Sequence, residues 1–222
     1  MARHPNGQNG DVKPIVANGL LAYAGVMTLN DLTTPLSLLE SRRSGRPREM
    51  VAPGPSDAEL TRILAIAARA PDHGKLAPWR FVIVGPEQRD RLAALLADAL
   101  PESDPAAGAA HFAKAHEFAH QAPVLVVLIS APRRDHKIPV WEQQLSCGAV
   151  GMNLLLATHA LGYVGGWLTG WAAYAERVRA AFCAPGERIA GFLFLGSPGV
   201  ELEERPRPDP ASVARNWIPP QD

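Results

Sequence analysis

The chain has 222 residues, enough for one full hydrophobic core with extensions at its ends. Apolar residues make up 47% and charged residues 20%, an ordinary globular balance. Lys+Arg and Asp+Glu both number 22, so no bulk charge favours nucleic acid or an acidic surface, and any anion site must be local. The two cysteines, Cys147 and Cys183, lie in apolar helical contexts without metal-type or Cys-x-x-Cys spacing. They read as small core residues of a reducing, cytoplasmic compartment. No apolar run reaches the roughly 18–20 residues of a membrane helix.

Residues 1–33 are rich in Gly, Asn and Pro, show no sustained period, and read as a flexible N-terminal extension. A small-x-small step at Ala22-Tyr23-Ala24 imitates a signal cleavage site, but Pro14, Asn18 and Gly19 interrupt the stretch before it. Met27 stands just ahead of the patterned sequence and is a candidate start. Residues 34–222 read as a single domain ending in an extended tail.

Thr34-Pro35 opens a helix with a capping hydroxyl and a proline at the first position, continuing from Leu36 to Arg43. The helix runs into Ser41-Arg42-Arg43-Ser44-Gly45-Arg46-Pro47, a basic knot whose forked guanidinium groups and hydroxyls suit a phosphate. A solvated basic turn is the plainer reading of the same residues. Ser56-Asp57-Ala58-Glu59 fits a capping box for a helix reaching Ala70, with Leu60, Ile63, Leu64 and Ala67 on one face, stopped by Pro71. Then comes a polar loop carrying His73 and Lys75, followed by Pro78-Trp79 and a short strand, Phe81–Val84. A cationic loop between a helix and a core strand suits an anionic, planar ligand. It also reads as a charged surface loop with Trp79 as core filler.

Pro86 opens a helix to about Leu100, and another spans about Pro105 to Gln121. Val124–Ile129 is a fully apolar strand, which implies a sheet covered on both faces. Val140 to Leu161 is the longest helix candidate, about 33 Å at 1.5 Å per residue. Its middle, Ser146 to Gly151, is small and Leu154-Leu155-Leu156 is greasy. Such a helix must be covered on all sides, by its own domain or by a two-fold copy. Gly162 to Gly170 is a Gly-rich turn or strand where a ligand can approach the backbone. A helix from Ala172 to Phe182 and a strand from Ile189 to Leu195 follow. The tail from Gly196 to Asp222 is rich in Pro and Arg, hence extended and wrapped over a neighbour or the surface. Helices and strands interleave without a βαβ period, so the class is α+β, or a mixed α/β sheet flanked by helices.

His116-Glu117-Phe118-Ala119-His120 matches the His-Glu-x-x-His signature of zinc hydrolases, in which two histidines a turn apart hold the metal and the Glu activates water. Against that, the helix stops at Ala122-Pro123 and no third histidine follows at short spacing, although Asp135 or Glu142 could serve as a carboxylate ligand; a polar helix face is the alternative. Gly196-Ser197-Pro198-Gly199 lacks the first glycine of a nucleophile elbow, and the glycines of 162–170 do not form Gly-x-Gly-x-x-Gly. A phosphorylated cofactor would have to be held by arginines.

Several stretches in this order resemble the FMN-dependent nitroreductase family: Arg42-Arg43-Ser44, Arg69-Ala70-Pro71-Asp72-His73 with Pro78-Trp79-Arg80-Phe81, and Trp141-Glu142 opening the long helix. Gly165-Gly166-Trp167-Leu168-Thr169-Gly170, Ile189 to Gly196 and Pro208-Asp209-Pro210 complete the set. They are most similar to its compact, YdjA-like NAD(P)H nitroreductase branch, over about Leu36 to Trp217 and excluding residues 1–30. The resemblance implies a central, mainly antiparallel sheet flanked by helices and an intertwined homodimer with FMN at the subunit interface. It implies that Arg42, Arg43 and Ser44 meet the flavin phosphate and ribityl chain, that Arg69 and His73 reach the partner's flavin, and that Trp167, Leu168 and Thr169 line the ring, partly through backbone. Ala157, Thr158, His159, Ala160, Leu161 and Gly162 match the stretch assigned to NAD(P) in that branch. Gly74-Lys75 and Leu168 depart from the pattern of many members.

The activity implied is ping-pong hydride transfer from NADH or NADPH through FMN to a nitroaromatic, quinone or similar electron-poor small molecule. The cofactor carries the redox chemistry, and no catalytic side chain, nucleic acid or membrane is called for. The rival readings are a zinc hydrolase built on His116, Glu117 and His120, and a flavin-binding protein without turnover.

Overall fold

The structure, a computed structural model, describes residues 28–220. The expectations for residues 1–27, including Met27 as a start, fall outside them. Residues 28–203 and residues 204–220 belong to two separate units.

In the first unit, α1 (Pro35–Ser41) begins as its sequence suggests, with Thr34 Oγ1 accepting from the Ser37 N–H at 3.0 Å. It ends two residues early, because Arg42 turns to an extended conformation (φ −55°, ψ 122°). The chain ahead of it is already tied down at Asn30 and Asp31. Asn30 exchanges hydrogen bonds with the Arg43 backbone at 2.8 and 3.1 Å, and the Asp31 N–H donates to Ser41 Oγ at 2.9 Å. A one-turn 3-10 helix, Pro47–Glu49, leads into β1 (Met50–Val51), too short for any periodic signal. In α2 (Asp57–Ala67) the expected capping box is complete, and Glu59 also accepts from Tyr163 Oη at 3.0 Å.

β2 (Trp79–Val84), α3 (Arg89–Ser103), α4 (Ala109–His120) and β3 (Val124–Ser130) follow. After them come α5 (Val140–Ala160), β4 (Val164–Leu168), α6 (Trp171–Tyr174), α7 (Glu176–Phe182) and β5 (Arg188–Pro198). The single helix expected over Ala172–Phe182 is two, because Ala175 between them is extended (φ −60°, ψ 128°). β5 runs on through Gly196 to Pro198, where the sequence suggests tail, because β1 pairs with its last residues. Every strand pairing is antiparallel, in the order β1-β5-β3-β2, with β4 beside β1 along the same edge of β5. The α+β expectation is met.

β3 is apolar throughout because both faces of the sheet are covered. Leu125, Val127 and Ile129 pack into a core shared with α3, α4, α6 and α7, while Val126 and Leu128 pack into one shared with α2 and α5. The β3–β5 register slips between Leu128 and Ile129, leaving Ala190 as the extra residue of a bulge. The freed Ala190 carbonyl accepts from Trp167 Nε1 at 3.1 Å. The Trp167 indole then fills the space beside two glycines: a Cβ at Gly191 would stand 1.9 Å from its Nε1, and one at Gly151 2.3 Å from its ring. Of the small residues in the middle of α5, Gly151 is thus required by an indole from its own chain.

In the second unit, Asp209 caps the short turn α8 (Pro210–Val213) by accepting from the Ala211 N–H at 3.0 Å, which interrupts the extended tail expected there. Among the described residues no helix is long and apolar enough to cross a membrane.

Gly191→Ala is expected to cost about 1–3 kcal/mol by overpacking against the indole. The check is the urea midpoint, and an unchanged midpoint would contradict the wedge.

Candidate functional site

Side chains of the basic knot are tied into the fold around them, with Arg42, Arg43 and Ser44 half-buried and Arg46 exposed. Ser41 is buried, donating to the Ser37 carbonyl at 2.6 Å and accepting from Asp31. Arg43 donates through Nε to the Glu203 carbonyl at 2.6 Å and through Nη1 to the Ser44 carbonyl at 2.9 Å. Arg46 is paired with Glu49 at 3.1 Å. The sequence offers all three arginines to an anion; Arg42 too has a partner within the fold, its Nη1 donating to Ser44 Oγ at 3.1 Å.

The knot is held against β4 by a close backbone approach. A Cβ at Gly166 would stand 2.8 Å from the Gly45 carbonyl oxygen, so only glycine lets the two segments touch. This brings Arg42–Ser44 beside the strand ending in Trp167 and Leu168, followed by Thr169. The Trp167 side chain points into the body, leaving its backbone for any ligand, and Leu168 packs partly into the core. Thr169 and Gly170 are exposed, and Gly170 (φ +85°) has open space where its side chain would be.

The end of α5 lies on the same side. Of the stretch matched to NAD(P), Ala157, Thr158 and His159 are buried, Leu161 is half-buried, and Ala160 and Gly162 are exposed. The first three side chains are covered within the chain, and the surface of this stretch is formed by Ala160, Gly162 and part of Leu161. His159 is fully buried, and neither ring nitrogen finds a partner of hydrogen-bond geometry among the described residues. Burial, reinforced by the Arg42 charge and only partly offset by the Tyr163 backbone, pushes its pKa down to about 4. A neutral imidazole therefore lies beneath the knot at neutral pH.

Arg69 and His73 lie elsewhere. Both are exposed, Arg69 in the turn after α2. The His73 loop is held in an uncommon backbone shape, with Gly74, Lys75 and Ala77 at positive φ, by the Asp72 carboxylate. That group accepts from the Leu76 and Ala77 N–H groups at 3.1 and 2.8 Å. His73 Nδ1 meets Glu142 Oε2 at 2.7 Å, in the first turn of α5. Ser146 Oγ donates to the Pro71 carbonyl, tying the loop to the same end of the helix. Glu142 and His159 are 17 positions apart, about 25 Å along a helix. Within one chain, the Arg42 group and the His73 group therefore sit toward opposite ends of α5.

The zinc-hydrolase reading fails on geometry. α4 ends at His120, and the described residues able to share a metal are Asp90, His116 and His120. Glu117, the would-be base, lines a groove with His111 and Lys114 instead. Asp90, 26 positions before His116, carries no sequence signal linking it to the pair.

The nitroreductase family model matches residues 39–197 of the chain. The putative NAD(P)H nitroreductase YdjA of Escherichia coli strain K12 is 36% identical over 166 residues, covering 73% of this chain and 87% of that protein. The chain belongs to the nitroreductase family. Solved structures share the fold: a nitroreductase-like protein of Bacillus cereus has a TM-score of 0.70 at 19% identity, covering 87% of this chain and 99% of that one. A nitroreductase of Bacteroides fragilis with bound FMN has a TM-score of 0.59 at 20% identity, covering 79% and 95%.

His159→Leu tests the buried imidazole. With a folded pKa near 4 against an ordinary value near 6.5, the unfolded chain binds the proton first, so wild-type stability is full above pH 6.5 and falls as pH drops towards 4. That loss is about 3 kcal/mol in size. The leucine variant should lack this acid-side slope in chemical denaturation, and an identical slope would place His159 in water.

Proposed function

We propose that this nitroreductase-family chain is an FMN-dependent oxidoreductase that works as a homodimer, oxidising NADH or NADPH and reducing an electron-poor small molecule such as a nitroaromatic or quinone. The observation that carries the reading is the separation of Arg42 from His73 toward the two ends of α5. Between those ends, Trp141, Leu145, Gly148 and Met152 follow one another at i, i+4, i+7 and i+11, one exposed stripe of the helix. Trp141 is 67% and Leu145 54% exposed, a costly arrangement for a lone subunit. A second copy related by a two-fold axis across this stripe would cover it and set the His73 end of each helix against the Arg42 end of the other.

The residues fit a phosphorylated flavin. Arg42 and Ser44 would form a donor set for a phosphate dianion, beside a groove that Glu49, Glu201 and Glu203 also line, and the end of β4 offers backbone with open space at Gly170. When bound, FMN supplies two-electron redox chemistry, exchanged in a ping-pong sequence in which oxidised nicotinamide leaves before the acceptor enters. Arg42 and Ser44 anchor the phosphate. The backbone of Trp167 to Thr169, fixed by the indole wedge, sets the height of the ring. His73, steadied by Glu142, and Arg69 close the pocket from the second copy. No side chain needs to act as a nucleophile, and the electron-rich thiols Cys147 and Cys183 stay out of the chemistry, their pKa values pushed up by burial.

Pure protein should be yellow, bleach anaerobically with NADH or NADPH, and recover its colour with a quinone or nitroaromatic. Bound FMN that nicotinamide cannot reduce would leave a flavin-binding protein without turnover. Arg42→Ala should weaken FMN binding about ten- to a hundredfold, the value of one charge-assisted contact, with the fold intact by circular dichroism. Leu145→Glu should convert a dimer to a monomer in sedimentation and empty it of FMN. A wild-type monomer that keeps its FMN would sink the dimer reading.

A further inference from the structure

One cluster of metal-ligating side chains takes no part in the proposed flavin site. His116 and His120, one turn apart at the end of α4, have stacked rings with centroids 4.3 Å apart and planes at 22°. Asp90, in the first turn of α3, brings Oδ1 to 2.9 Å from His120 Nε2. One ligand atom from each of the three residues lies within 4.8 Å of the others.

The tautomer of His120 follows from its other contact. Its Nδ1 is 2.9 Å from the His116 carbonyl oxygen, which can only accept, so Nδ1 carries the hydrogen. Nε2, the other ring nitrogen, is the atom that faces the Asp90 carboxylate. An imidazole oriented through Nδ1–H to a carbonyl and presenting Nε2 is the usual preparation of a histidine for metal. A single dication would satisfy both rings and the carboxylate together.

The frame is built independently of the ligands. Arg89, next to Asp90, is buried and donates through Nη1 to the Ala119 carbonyl at 2.8 Å and the Gln121 carbonyl at 3.3 Å, and through Nε to the Val84 carbonyl at 3.2 Å. It thus pins the start of α3 to the last turn of α4, where His116 and His120 stand.

We propose that Asp90, His116 and His120 form a surface site for a borderline divalent transition-metal ion such as Zn2+, clamping α3 to α4. Zn–N and Zn–O distances of about 2.0–2.2 Å put ligating atoms roughly 3.3–3.5 Å apart, so rotation of these exposed side chains closes the set. Two imidazoles and one carboxylate select zinc or nickel over magnesium. Three ligands leave the remaining positions to water, and with Glu117 turned aside the site is structural rather than hydrolytic. It does not depend on the flavin reading.

The test is Zn2+ titration by calorimetry on tag-free, chelator-treated full-length protein, with Mg2+ as the control. One equivalent of Zn2+ should bind, raise Tm by several degrees, and leave FMN content unchanged, while Mg2+ should do none of this. His116→Ala and His120→Asn should each weaken Zn2+ at least tenfold, and Asp90→Asn severalfold, with far-ultraviolet spectra unaltered. Absence of stoichiometric Zn2+ binding would overturn the proposal. So would Zn2+ affinity that survives the His116→Ala, His120→Asn double variant, or that is lost only in His73→Asn.

Discussion

The Trp167 indole stands where side chains at residues 151 and 191 would otherwise be, and much of the structure is arranged around that fact. It requires glycine on α5 and on β5, and it uses the carbonyl released by the β5 bulge. It joins three elements on one side of the sheet through a single side chain. The end of β4 is thereby fixed in position, and the knot at residues 42–46 is fixed in turn, because Gly45 rests on Gly166. The geometry of the proposed pocket therefore depends on packing that no ligand touches.

Most elements were legible because their signals are local. The capping box at Ser56 and Glu59, the proline at the first position of α1 and the unbroken apolar run of β3 each announce themselves within a few residues. Where the reading falls short, the cause is non-local. β1 exists only because β5 offers it an edge, and the break at Ala175 has no proline or glycine to mark it. The bulge at Ala190 is a matter of register between distant strands.

The candidate site divides in the same way. The resemblance named Arg42, Arg43 and Ser44, but the sequence could not say which guanidinium groups the fold itself consumes, since the partner of Arg43 lies 160 positions away. It pointed to the stretch around His159 without revealing that the ring is sealed in. The His-Glu-x-x-His pattern showed two imidazoles on one helix face, and its usual chemistry did not follow, because the Glu faces another groove while Asp90 arrives from a different helix.

The distance between the Arg42 and His73 ends of α5 has a consequence under the proposed pairing. A copy damaged at residue 42 and a copy damaged at residue 73 each impair both pockets when paired with their own kind. In a mixed pair, one of the two pockets draws its intact arginine from one chain and its intact histidine from the other. Under that pairing, mixing the two damaged forms should restore one intact pocket per mixed dimer, which neither form has by itself.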